Sequence, residues 1–456
     1  MDKNNIHRLF RGILLLAPIL LLFPSPRVQA YSFLTHESII DLAWDPAIKP
    51  LLLQRFPHLT AAQLKIAHGY AYGGSTIQDA GYYPSGSALF SNLTHYVRSG
   101  AFVNALLHNA RNADEFAFAL GAMSHYIGDA IGHSYAVNPS VPIEFPSLKN
   151  RYGKIVTYED NPHDHVRTEF AFDIDQLSHQ RFAPPAYLRS VGMYVPKRLM
   201  NQAFFETYGL PLPSVIGNEF VAFRGYRISV RQFLTRVAYA EVLLHRRHMP
   251  PDVDNPEFKQ FKARLRVADT QNHWERYRRH HIGLATRFYA FLILILPRVG
   301  PLADLAIRGP NVKTEQKYIY SVDDAVDEYD YLLNEIREDG LRRFYLPNID
   351  LDTGFPTRPG AYALTDKTYA TLLHRITRKR RSQNIPAQLK QSILAYFANP
   401  NSPDTLKKHP REWRRVQADL AVLRRTPALP AHLAYVKNAS PTQPGKQISP
   451  HNVQSQ

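Results

Sequence analysis

Residues 115–138 read EFAFALGAMSHYIGDAIGHSYAVN, and within them His125, Asp129 and His133 recur at a spacing of four. On a helix that spacing puts the three side chains on one face, a turn apart. Imidazole and carboxylate groups at this interval suit Zn2+, which takes nitrogen and oxygen ligands at about 2.0–2.2 Å. One helix face cannot surround an ion, so further ligands must come from elsewhere. His165 and Glu169, in NPHDHVRTEFAFD, form a second i, i+4 pair on a helix whose start is marked by Asn161-Pro162. His163 is offset from that face and is expected at the surface or behind a ligand. His36 (in THE), Asp79 (in STIQDAGYYP) and His95 (in NLTHYV) are the remaining candidates.

The N-terminus bears on the same site. A basic opening (His7, Arg8, Arg11) leads into the apolar run 12–23, interrupted only by Pro18, and then to Pro24, Pro26 and the triplet Val28-Gln29-Ala30. This is the pattern of a secretory signal peptide cleaved after Ala30, which predicts an exported, periplasmic or secreted, protein. The apolar run is short for a bilayer span, and a retained anchor is the alternative. Cleavage would free the amine of Tyr31, and an amine with its own carbonyl can chelate a metal as an internal peptide cannot. His36 would then lie about one helical turn further on. The chain has no cysteine. An exported chain must therefore fold without disulfides, and any metal must be held by His, Asp, Glu or backbone.

Taken together, these residues resemble the zinc-dependent phospholipase C family, whose wider clan includes single-strand-specific zinc nucleases. The similarity covers about residues 31–173. It implies an all-α, multi-helical domain holding up to three Zn2+ ions. By resemblance, Asp79, His95, His125 and Asp129 would hold the first zinc, and His133, His165 and Glu169 the second. The amine and carbonyl of Tyr31 with His36 would hold the third, which Asp129 would bridge to the first. The implied chemistry is phosphodiester hydrolysis, with Asp79 as a ligand and the catalytic base. Two features depart from the pattern. The secreted phospholipases and nucleases begin with Trp where this chain would begin with Tyr31. Their bridging Asp also stands further from the next His than Asp129 does from His133. The shorter spacing resembles the branch that includes the glycosylphosphatidylinositol-specific phospholipase D.

Such a site needs a helical scaffold. With 456 residues, 45% of them hydrophobic, the chain can bury a core for two or three domains. Apolar residues fall at helical spacing over 37–44, 101–109, 115–126 and 229–245, and no internal repeat interrupts them. Residues 73–92, rich in Gly, Ser and Tyr, read as a long irregular loop of functional importance. Gly81-Tyr82-Tyr83 and Phe90 in it are expected to pack rather than to wall a headgroup. The expected division is a signal peptide (1–30), a zinc-dependent phospholipase C-like domain (31–285), a helical C-terminal extension (286–436) and a disordered tail (437–456). In the extension, the apolar run 288–296 is too short to cross a membrane and reads as a buried helix. An acidic amphipathic helix over 321–343, a helix over 365–378 ending in the basic run 378–381, and a basic helix over 410–425 follow.

The net charge is +16, of which about +13 belongs to the chain after residue 30 (+16 less four basic and one acidic residue in the leader). That excess favours anionic partners: phospholipid headgroups with membrane-surface contact, lipopolysaccharide or nucleic acid. A phospholipase C-like hydrolase is the leading expectation. A zinc nuclease is the alternative favoured by the basic stretches 378–381 and 411–415, and a non-catalytic zinc-stabilised binding module is a third. Asp352-Thr353-Gly354 matches the aspartic protease triplet, but those enzymes need two such loops in a β-rich fold. A single copy in a helical context excludes that activity.

Overall fold

The computed structural model describes residues 32–245, 249–252, 255–278, 287–288, 290–291, 309–378, 385–399 and 403–429. The expected signal peptide, Tyr31, most of the run 288–296, residues 379–381 and the tail lie outside them. Among the described residues the fold is helical throughout. The extended pairings are a two-residue parallel ladder, Ile385–Pro386 against Ala428–Leu429, and an isolated bridge between Ile349 and Pro356. No helix among the described residues is long and apolar enough to cross a membrane.

The helix Ala113–Gly132 is the central beam, with almost every side chain buried. Its start is fixed locally. The Asn112 side chain accepts from the Glu115 amide at 2.9 Å, and Asp114 and Glu115 place negative charge on the free amides of the first turn. The helix Ala61–Ser75, opened by a Thr60–Gln63 capping box, packs against it at backbone distance. A Cβ on Gly74 would lie 2.0 Å from the Phe118 carbonyl oxygen, and one on Gly121 would lie 2.1 Å from that of Ala71. Glycine at both positions is what lets the two helices approach so closely.

This contact corrects the loop expected over 73–92. The Ala61–Ser75 helix runs into that segment, a 3-10 turn follows at Gln78–Gly81, and a helix begins at Ala88. Gly73, Gly74 and Ser75 signal tight helix packing here, not irregular chain. Phe90 stacks on Phe204 and Tyr83 packs on Tyr226, in keeping with the packing role expected of them.

The helix Phe33–Ala43 is buried along its whole length and anchored at its start by Asp173. Asp173 Oδ2 accepts the Leu34 amide at 3.1 Å, and Oδ1 accepts the Thr35 amide at 3.2 Å and hydroxyl at 2.7 Å. An anion there satisfies amides that have no partner within the helix. Burial nevertheless pushes the Asp173 carboxyl up to about 7, against the hydrogen bonds from Ser32 and Thr35. A folded pKa above the unfolded value of about 3.9 means that the contribution is full below about pH 4 and is lost as pH rises through 7. Asp173→Asn cannot ionise, so its stability relative to the parent is expected to rise between pH 4 and 8. Thermal unfolding at each pH checks this, and a constant gap would contradict it.

The helix Val312–Asp339 buries Tyr318, Val322, Ala325, Tyr329, Leu333 and Ile336, a stripe at helical spacing. It starts nine residues before the expected acidic helix and stops at Gly340, whose φ is 72°. Tyr318 shares a 2.8 Å hydrogen bond with the Thr35 hydroxyl, and the Tyr329 hydroxyl donates to the Leu120 carbonyl at 2.8 Å. One hydrophobic core therefore contains residues from both sides of the boundary expected at 285. Pro410–Arg425 buries Val416, Leu420 and Leu423 and exposes Arg411, Arg414, Arg415, Arg424 and Arg425.

Candidate metal centre

The central helix presents His125 and Asp129, one turn apart and fully buried. Asp79 comes from the 3-10 turn Gln78–Gly81, His95 from the helix Ala88–Tyr96, and His36 from Phe33–Ala43. Their ligand atoms converge. His95 Nε2 lies 3.3 Å from Asp79 Oδ1, 3.3 Å from His125 Nε2 and 3.2 Å from Asp129 Oδ2. His125 Nε2 lies 3.2 Å from that same Asp129 oxygen. The other oxygen, Oδ1, faces His36 Nε2 at 3.1 Å, and the His36 ring stacks on His125 with centroids 4.3 Å apart. Gly128 makes room for it, since a Cβ there would lie 3.2 Å from His36 Nδ1.

Backbone carbonyls assign the tautomers. His125 Nδ1 is 2.9 Å from the Ser75 carbonyl oxygen, which the close helix pair brings into place, and His95 Nδ1 is 2.7 Å from that of Ser91. Each Nδ1 therefore donates its proton outward, and each Nε2 turns a lone pair toward the cluster. Two lone pairs facing at 3.3 Å repel unless a proton or a cation lies between them. Ligand atoms around a tetrahedral zinc stand about 3.4 Å apart, given bonds of about 2.0–2.2 Å. The four separations around His95 and His125 match that edge length.

A second cluster adjoins the first, one turn along. His133 opens a π-helical turn, His133–Val137, that continues the central helix, and His165 and Glu169 share a face of Pro162–Ser178. Glu169 Oε1 lies 2.8 Å from His165 Nδ1 and 3.7 Å from His133 Nε2. His165 Nε2 is 2.8 Å from the side-chain oxygen of Asn138, the residue that follows the π turn. His163 is partly exposed and stands off this face.

A residue assigned no role in the sequence reading joins them. Asp352, of the excluded protease triplet, places Oδ1 2.9 Å from His133 Nδ1 and 3.6 Å from His165 Nε2. No local pattern could have revealed it, because it lies far down the chain in a turn that matters only once folded against the central helix.

Burial and the facing charges of the opposite sign set the electrostatics of the site. Burial and the nearby His125 lower the pKa of His36, and burial lowers His165 to about 3. Burial also opposes a charge on His95, but Asp129 and Asp79 outweigh it and raise this imidazole to about 10. Burial would raise Asp129 and Asp352, yet neighbouring histidines hold Asp129 well below, and Asp352 below, the usual carboxylate range. Among the described residues, both oxygens of Asp79 and Asp129, both nitrogens of His133, and Asp352 Oδ1 are buried and make no hydrogen bond. Buried groups without hydrogen bonds are costly. Three sets within these clusters could each hold an ion: His36–His125–Asp129, Asp79–His95–His125 and His133–His165–Asp352.

The fold and the site define an all-α protein with buried, adjoining His/Asp clusters fit for metal. Residues 35–217 match the family model for zinc dependent phospholipase C. Its members are zinc-dependent hydrolases, and the clusters accord with that. No curated protein and no solved structure matches the chain significantly.

Proposed function

We propose that the chain is an exported, zinc-dependent phosphodiester hydrolase of the phospholipase C type, using up to three zinc ions. The observation that carries this reading is the set of separations near 3.3 Å among buried His and Asp atoms that make no better contacts. Asp79, His95, His125 and Asp129 would hold one ion, His133, His165 and Glu169 a second, and His36 with Tyr31 a third. The two oxygens of Asp129, turned to different histidines, suit a bridge between the first and third positions. Zinc bound there would supply Lewis acidity toward a phosphoryl oxygen and lower the pKa of a bound water.

The chain's own groups do the rest. The carbonyls of Ser75 and Ser91 keep His125 and His95 turned inward. Asp79, with no hydrogen bond at either oxygen, is free to orient or deprotonate a water as ligand and base. Cleavage after Ala30 would complete the site by freeing Tyr31, next to Ser32 at the start of the Phe33–Ala43 helix.

A lipid substrate is supported by the basic outer face of Pro410–Arg425, suited to an anionic surface, and by two exposed aromatics near the second cluster. Tyr135 is 63% exposed on the π turn and Phe355 71% exposed three residues after Asp352. The zinc-loaded protein is expected to release diacylglycerol from phosphatidylcholine vesicles, to stop on chelation and to recover on adding zinc. Cleavage of single-stranded DNA with strongly salt-sensitive binding, and no diacylglycerol, would favour a nuclease instead. Tight zinc binding with no turnover of either substrate would leave a binding module.

A further inference from the structure

Asp352 lies outside the family-matching segment, in a turn laced onto the end of the central helix. The Leu351 amide donates to the His95 carbonyl at 3.2 Å, the Asn138 side-chain amide to the Asp352 carbonyl at 2.7 Å, and the Ser134 hydroxyl to the Thr353 carbonyl at 2.8 Å. Gly354, at φ 72°, seats the turn where a Cβ would lie 2.3 Å from Ser134 Oγ and 2.8 Å from the Ala130 carbonyl oxygen. The triplet's glycine is thus a docking requirement of this turn.

The Asp352 carboxylate is split in function. Oδ2 is held by the Tyr158 amide at 3.2 Å and by the Tyr362 hydroxyl. Oδ1 is buried, makes no hydrogen bond, and lies 2.9 Å from a His133 Nδ1 that makes none either. A carboxylate with one oxygen fixed by donors and the other aimed at two imidazoles has the arrangement of an oriented metal ligand. We propose that Asp352 supplies Oδ1 to a metal position formed with His133 and His165, on the ring nitrogens that turn away from Glu169. The segment after the family-matching domain then completes the metal site as well as packing on it. This rests on the zinc reading above.

The test uses the full chain, with Asp352→Asn and Asp352→Ala. Asparagine retains an oxygen for the Tyr158 and Tyr362 donors, so its circular dichroism and metal-free thermal midpoint should stay near the parent's. Under competition with a chelator that the parent withstands, both variants are expected to lose about one zinc per chain, with affinity at that position down roughly 100-fold or more. The visible absorption of the cobalt-substituted protein should change as a ligand is lost. Asp350→Asn disturbs the same turn, since Asp350 accepts from the Thr353 amide at 3.1 Å, and should leave both readouts unchanged. Parent-like zinc retention and cobalt spectrum in both Asp352 variants would overturn the proposal, as would an equal loss in Asp350→Asn. A parent that binds no zinc would overturn the underlying reading with it.

Discussion

Asp129→Ala is expected to abolish phosphodiester hydrolysis while leaving a folded chain. One oxygen of this carboxylate faces His36 at 3.1 Å and the other faces His95 and His125, each at 3.2 Å. Its loss would leave the two proposed metal positions short of a ligand and remove the negative charge from among three imidazoles. The loss of activity should be at least about 10³-fold, equivalent to roughly 4 kcal/mol of transition-state stabilisation. Zinc content should fall by more than about one per chain, because the proposed bridge would serve two ions. Asp129→Asn should behave alike, since a neutral amide cannot balance the cations. Diacylglycerol release and elemental analysis on the same preparations check both points. Full activity in either variant would remove Asp129 from the mechanism.

Gly121→Ala is expected to be among the most destabilising single changes in the chain, although it adds one methyl group. Its Cβ would lie 2.1 Å from the Ala71 carbonyl oxygen and 3.0 Å from Gly74 Cα, both backbone atoms that cannot rotate away. Relief requires the two helices to separate, and overpacking of this kind costs typically about 1–3 kcal/mol, or more where backbone must move. The same separation would draw the Ser75 carbonyl from His125 Nδ1, so zinc affinity should fall with stability. Gly128→Ala offers a contrast. The added Cβ would meet only side-chain atoms, Ile39 Cδ1 at 3.1 Å and His36 Nδ1 at 3.2 Å, which can give. It should cost less in thermal midpoint yet still weaken zinc binding through His36. Equal midpoints for Gly121→Ala and the parent would contradict the packing account.

The helices that carry the site were legible because their apolar spacing and starts are local properties. His125, Asp129 and His133 fall at a helical interval, and Asn161-Pro162 marks the helix of His165 and Glu169. Their ends were less so: the spacing gave 115–126 where the helix runs Ala113–Gly132, and nothing local announces the π turn at His133. Residues 73–92 were misread because glycine is ambiguous, breaking some helices and letting others touch. Asp79, His95 and His36 carry no pattern of their own and were placed through a family resemblance that also indicated where each belongs. Asp352 was beyond both routes. It lies past the family-matching residues, and its only local pattern pointed to a different chemistry.

The most direct test of the central claim is the metal content of the purified mature protein, measured beside His125→Ala and Asp129→Ala. The account predicts about two to three zinc per chain in the parent, and a clear loss in each variant. Less than about one zinc per chain in the parent, unchanged by either substitution, would contradict it.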